Sequence, residues 1–290
     1  MAPHTLAFGT YLTAMTVELG LHASWLWCAF FAALLALLLG CALRAAAAPA
    51  SWWDVANDAY YPIAMNLAFP AMGGAVPAIR GSRFDDLLYG IDARFLGGSF
   101  SVRLEHVSSR GLTEIMSGCY LMFVPLLFAS LVRAFFWGRE RRRSFIAGLF
   151  TLYGIGFLGY LLVPASGPYL AYPGLFGALE GGPLWRLNQA MVALGSNGVD
   201  VFPSLHAAVS VYILGFSYRY ARREFCWLLL PVLGICLSTL YLRYHYAVDV
   251  LCGLALAGIA LRVGIHWEQR GARCAEAGPR REEEVACRSY

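Results

Sequence analysis

The chain contains no lysine. All 22 of its basic residues are arginine, so every fixed positive charge on a side chain is a guanidinium. Charge of either sign is scarce: charged residues make up 14% of the 290 positions, where soluble domains carry roughly a quarter. That scarcity argues against an ordinary soluble globular chain. The net charge of +4 is spread over loops between apolar segments, which argues against a nucleic-acid partner. None of the eight cysteines forms a CxxC pair, which argues against both a disulfide framework and a zinc cluster. They read as small apolar packers. No basic region precedes the first apolar run, so a cleaved signal peptide is not expected. There is no internal repeat.

What is abundant is hydrophobic surface, at 59% of residues. A bilayer span needs about 20 mostly apolar residues. Strong candidates run over 24–43, 113–137, 145–163, 203–220, 225–242 and 247–266. A seventh, 57–79, is interrupted by Pro62, Pro70 and Pro77, which predicts a kinked helix. Residues 5–21 are apolar but short and carry Glu18, giving seven spans if they do not cross and eight if they do. The fold class expected is all-α: a polytopic helical bundle embedded in the lipid bilayer. Residues 80–112 mix Arg80, Arg83, Arg94, Arg103 and Arg110 with Asp85, Asp86, Asp92 and Glu105, and read as an amphipathic segment on the outer surface. Residues 164–202 read as a Gly/Pro-rich loop, and the tail after Gly271 as charged and disordered.

Arginine placement sets the orientation. Arg139, Arg141, Arg142 and Arg143 lie between two spans; Arg219, Arg222 and Arg223 lie between two others. Arg262, Arg270, Arg273, Arg280 and Arg281 follow the last. These clusters alternate correctly and are expected in the cytoplasm with the C-terminus. The loop 164–202, with Arg186 alone, and the link 243–246 are expected outside, in a bacterial inner membrane facing the periplasm.

Two motifs lie on that outer side: Phe202-Pro203-Ser204-Leu205-His206 and Arg243-Tyr244-His245-Tyr246-Ala247-Val248-Asp249. His245 and Asp249 are four apart, so on a helix they share a face. The carboxylate can then fix the imidazole tautomer and leave the other nitrogen nucleophilic. Pro203 suits a first helical turn, whose free N–H groups would face an anion. Ser204 adds a hydroxyl, His206 is placed to protonate a departing oxygen, and Arg243 has the fork that grips phosphate. Singly, each has a plain alternative. An interfacial histidine is commonly a surface polar group, Pro-Ser starts many helices, and an arginine at a span end snorkels to the interface. Their convergence at one boundary points instead to phosphoryl transfer on a lipid.

The two motifs resemble the second and third signatures, PSGH and SRxxxxxHxxxD, of the type 2 phosphatidic acid phosphatase superfamily. The form FPSLHA…RYHYxVDxxxG, preceded by Pro164-Ala165-Ser166-Gly167-Pro168, is most similar to the branch of inositol phosphorylceramide synthases and their bacterial relatives. The likeness is strong over 145–266 and extends from about residue 80. It implies a six-helix core and three parts: N-terminal transmembrane helices over 1–79, a catalytic membrane domain over 80–270, and a charged tail over 271–290. It implies that His245 attacks phosphorus and becomes phosphohistidine, that Asp249 orients it, and that His206 protonates the leaving alkoxide. It implies a lipid phosphate substrate and no metal or other cofactor.

Three departures from the pattern stand out. The KxxxxxxRP signature is absent, Leu205 replaces the Gly of PSGH, and Thr239 occupies the third signature's Arg position. Phosphate binding therefore falls to Ser204, Arg243 and Arg186, with Arg80 and Arg83 behind them. Two competing classes remain. One is a non-catalytic transport protein on the same helices. The other is a zinc site of His206, His245 and Asp249, which lacks a fourth ligand at suggestive spacing.

Overall fold

The computed structural model describes residues 1–49, 51–97 and 100–277; the tail expected to be disordered lies largely outside them. It is all-α. Among the described residues there is no strand, only an isolated bridge between Ala165 and Asp200. The helices are α1 (Pro3–Leu21), α2 (Trp25–Ala47), α3 (Trp52–Ile79), α4 (Asp85–Leu96), α5 (Phe100–Glu105), α6 (Arg110–Leu121) and α7 (Phe123–Ala134). They continue as α8 (Arg139–Leu162), α9 (Pro168–Ala171), α10 (Pro183–Gly195), α11 (Leu205–Tyr220), α12 (Arg222–Tyr241) and α13 (Ala247–Ala277).

Among the described residues, six stretches are long and apolar enough to cross a membrane: Trp25–Ala47, Trp52–Ile79, Arg110–Ala134, Arg139–Leu162, Arg222–Tyr241 and Ala247–Gly271. Outside this set lie α11, over the expected span 203–220, and α1, over the stretch 5–21 whose crossing the sequence leaves open. Helix α11 has only 16 residues, and α1 dilutes its apolar run with His4, Glu18 and several threonines. Helix α3 stays a single helix through its three prolines.

The described chain forms two compact units. The first combines residues 1–79, 131–158 and the chain from Gly258. Its core is aromatic, with Phe8, Tyr11, Phe31, Phe150 and Phe157 fully buried. Here the arginines expected as loop charges belong to the first turn of α8. Arg142 donates to Asp58 Oδ2 at 2.7 Å, and Arg139 and Arg143 both bond Asp54, the latter at 2.8 Å. Both aspartates are buried, so α3 carries two carboxylates that these guanidinium groups neutralise.

The second unit combines residues 80–130 and 159–257. The segment 80–112 departs from the expected surface layer. Asp85, Leu88 and Asp92 of α4 are buried, and Leu88 packs in one cluster with Ala165, Val201 and Tyr246. The Gly/Pro-rich loop holds two short helices, α9 and α10. Glu114 caps the start of α10 by accepting from Gly182, Leu184 and Trp185 N–H groups. Gly167 has φ +86, and a Cβ there would collide with the Tyr244 carbonyl oxygen. Only glycine lets this turn lie against the segment that carries His245.

Candidate active site

Both motifs fold into helix starts, by different devices from those their spacing suggested. Ser204, not Pro203, begins α11: its Oγ accepts from Ala207 N–H at 3.4 Å as the N-cap, and Pro203 precedes it after a cis Phe202–Pro203 bond. His206 therefore sits in the first turn of α11. The second motif follows the end of α12. Arg243 takes a left-handed φ of 67°, and the N–H groups of Tyr244 and His245 both donate to the Thr239 carbonyl, at 3.0 and 3.1 Å. His245 thus lies in the turn before α13, not on its face. Asp249, in the first turn of α13, folds back and accepts from Tyr246 N–H at 2.9 Å. This cap, rather than a shared helical face, brings the pair together, with His245 Nδ1 3.6 Å from Asp249 Oδ2.

The two starts are stitched to each other. Ser204 N–H donates to the Asp249 carbonyl at 3.0 Å. The His206 and His245 rings consequently stand 5.7 Å apart, centroid to centroid, in an edge-to-face arrangement. Tyr120 stacks on His206 at 4.8 Å and Phe123 leans on it at 4.3 Å. His206 Nδ1, His245 Nδ1 and Asp249 Oδ1 are buried and without a hydrogen-bond partner. Buried polar atoms of this kind are costly unless something else fills their valence.

His245 is almost fully buried, at 2% exposure. Burial pulls its pKa down to about 4, against the Asp200 carboxylate and the Val201 carbonyl, which both favour the protonated ring. The imidazole is therefore neutral at physiological pH, as a nucleophile must be.

The three phosphate-binding candidates have distinct surroundings. Ser204 Oγ is engaged in its cap. The Arg243 guanidinium donates to the Gly177 carbonyl at 2.6 Å, lies 4.5 Å over the Phe176 ring and stands 4.0 Å from Glu105. Its Nε is buried and unpartnered. Arg186 is exposed on α10, where its charge acts on Glu114. Of the weaker candidates, Arg83 reaches to within 3.7 Å of a Cβ position on Gly198. Among the described residues, no group of three or more His, Cys, Asp or Glu is placed to hold a metal ion. The residues that spacing did not single out are Tyr120 and Phe123, which brace His206, and Asp85, Asp92 and Asp200. For the acids, the sequence offers only a mixed-charge segment over 80–112 and one aspartate in the Gly/Pro-rich loop.

This geometry coincides with a family match. The PAP2 superfamily model covers residues 88–263. The chain belongs to the PAP2 superfamily. No curated protein and no solved structure matches it. PAP2 superfamily members are generally phosphatases or phosphotransferases acting on lipid phosphates, and the match spans α4 through most of α13, including both histidine motifs. At Thr239, where the signature it resembles has arginine, the backbone carbonyl fixes the turn that carries His245.

Proposed function

We propose that this PAP2 superfamily protein is an integral membrane enzyme that cleaves a lipid phosphate ester through a phosphohistidine on His245, at the extracytoplasmic face. The observation that supports it most is the meeting of His206, His245 and Asp249, with rings 5.7 Å apart and a carboxylate 3.6 Å from the second ring. Packing alone does not require two imidazoles with unpartnered nitrogens beside a buried carboxylate.

In this reading a ring nitrogen of the neutral His245 imidazole attacks phosphorus. A P–N bond forms as the P–O bond to the lipid alcohol breaks. His206 gives a proton to the departing alkoxide. The Asp249 contact shortens to a hydrogen bond as the ring gains charge, since such contacts are often long before substrate arrives. In the second half His206 takes a proton from the acceptor, whose oxygen attacks phosphorus. The P–N bond breaks and its electron pair returns to His245. Water as acceptor makes the protein a phosphatase; an alcohol makes it a transferase, the course favoured by the likeness to the inositol phosphorylceramide synthase branch.

Phosphate oxygens are held by the first turn of α11, by Ser204 and by Arg243, with Arg186 at the mouth. The dianion also supplies the charge that keeps a proton on one of the two rings. What supports an outward site is the group Arg219, Arg222 and Arg223, which closes α11 and opens α12 and favours the cytoplasm. The test is a panel of phosphorus-labelled lipid phosphates, with and without ceramide or simple alcohols, using His245→Ala as control. Label released as phosphate, or moved to the alcohol, that disappears in His245→Ala supports the reading. No His245-dependent product across the panel refutes it.

A further inference from the structure

We propose that Asp85 and Asp92, two carboxylates of α4, are positioning residues that hold the His245–Asp249 pair in its reactive arrangement. The role assigned to them rests on His245 and Asp249 carrying the chemistry. The two acids lie seven residues apart, two turns along one face of α4, with buried Leu88 between them.

Asp92 is 2% exposed and uses both oxygens on the first turn of α13. Oδ2 accepts from Ala247 N–H at 2.8 Å and Oδ1 from Val248 N–H at 3.0 Å. The preceding N–H, of Tyr246, goes to Asp249 Oδ2. The donors at the start of this helix are thus divided between Asp92 and Asp249. Asp249 Oδ2, which takes the Tyr246 N–H, is also the oxygen 3.6 Å from His245 Nδ1, and Asp92 takes the next two N–H groups of the cap. Burial pushes the Asp92 carboxyl up while these two N–H donors pull it back.

Asp85 grips the turn on the other side. Its Oδ1 accepts from Tyr246 O–H at 2.9 Å and from Gly167 N–H at 3.0 Å, and its Oδ2 from Ser166 O–H at 3.1 Å. The Ser166–Gly167 turn in turn lies against the Tyr244 carbonyl. Tyr244 and Tyr246 flank His245, so the backbone on both sides of the imidazole is fixed from one short helix. The donors that reach the two side-chain carboxylates belong to residues 166–167 for Asp85, with Tyr246, and to residues 247–248 for Asp92. Both oxygens of each carboxylate accept from donors of the turn and helix start that flank His245, which suits holding.

The test uses the full-length protein in detergent, with Asp92→Asn and, in case that variant does not fold, Tyr246→Phe, which removes only the hydroxyl that Asp85 accepts. Turnover of phosphatidic acid, thermal midpoint and the rate at which diethyl pyrocarbonate modifies His245, read by peptide mass, are followed together. We expect kcat per folded molecule to fall about ten-fold or more in Asp92→Asn with KM within about two-fold. We expect a smaller fall in Tyr246→Phe, and His245 modified several-fold faster in both. A kcat that falls only in step with the folded fraction, or an unchanged modification rate, overturns the proposal. If the wild type shows no His245-dependent turnover, the proposed function fails, and the modification rates alone still decide the positioning role.

Discussion

Gly253 offers a quantitative test of how closely the two histidines must be held. A Cβ at this position would stand 2.5 Å from the Ser204 carbonyl oxygen and 3.5 Å from Ala208 N. Side chains essentially never approach closer than 3.0 Å, so Gly253→Ala must part the start of α11 from α13 by about half an ångström or more. Small residues permit this kind of close helix approach in membranes. The opening acts on the line that joins Ser204 N–H to the Asp249 carbonyl, and therefore on the separation of His206 from His245. Alanine gains about 1 kcal/mol of helix propensity over glycine, while overpacking costs about 1–3 kcal/mol. The net loss of about 0–2 kcal/mol leaves the protein folded. Displacement of catalytic groups by an ångström costs on the order of 100-fold, so half that opening predicts roughly a ten-fold fall in kcat. The assay is turnover of a lipid phosphate and of nitrophenyl phosphate, beside a thermal melt in the same detergent. A folded Gly253→Ala protein with kcat within about two-fold of wild type would falsify the view that the α11–α13 contact sets the reactive distance.

Three further outcomes are expected. His206→Ala slows phosphoenzyme formation most for poor leaving groups; equal slowing of nitrophenyl phosphate rules out an acid role for His206. Because burial holds His245 near 4, lowering the pH leaves its neutral form intact until about pH 4, so the acid limb of kcat/KM lies there; a limb near 6.5 contradicts the buried geometry. Arg243→Gly relieves about 1 kcal/mol of left-handed strain and gives up the Gly177 bond and the Phe176 contact, about 1 kcal/mol each, so the net loss of about 1 kcal/mol lowers the melting temperature by only about 2–4 °C. Its lipid phosphate turnover falls at least about ten-fold; full activity moves the phosphate contact to another residue.

The sequence and the structure agree where information is local. Helical periodicity and long apolar runs made the all-α membrane class legible, because a span is decided within its own 20 or so residues. His206, His245 and Asp249 were legible as candidates because each motif is compact. The way they meet was not, since spacing alone does not distinguish a residue on α13 from one in the turn before it. Ser204 displaced Pro203 as the start of α11 because its side chain completes a cap. Asp85 and Asp92 were hidden more deeply. Interleaved with arginines, they looked like a solvated face, and what makes them internal is a set of N–H donors more than 80 positions away. Tyr120 likewise meets His206 only through the fold.

The arginine–aspartate pairs of the first unit set a timetable for making this protein. Asp58 is synthesised 84 positions before the Arg142 that neutralises it, and Asp54 precedes Arg139 by 85. At about 5–20 residues per second, α3 waits roughly 4–17 seconds for its counter-charges. An unpaired aspartate costs about 2.5–3.5 kcal/mol at the centre of a membrane helix and less near its end, where Asp54 and Asp58 lie. Insertion of α3 is therefore provisional until α8 leaves the ribosome. A nascent chain stalled before Arg139 would present two bare carboxylates at the lipid boundary, a ready mark by which a membrane protease could tell an unfinished molecule from a finished one.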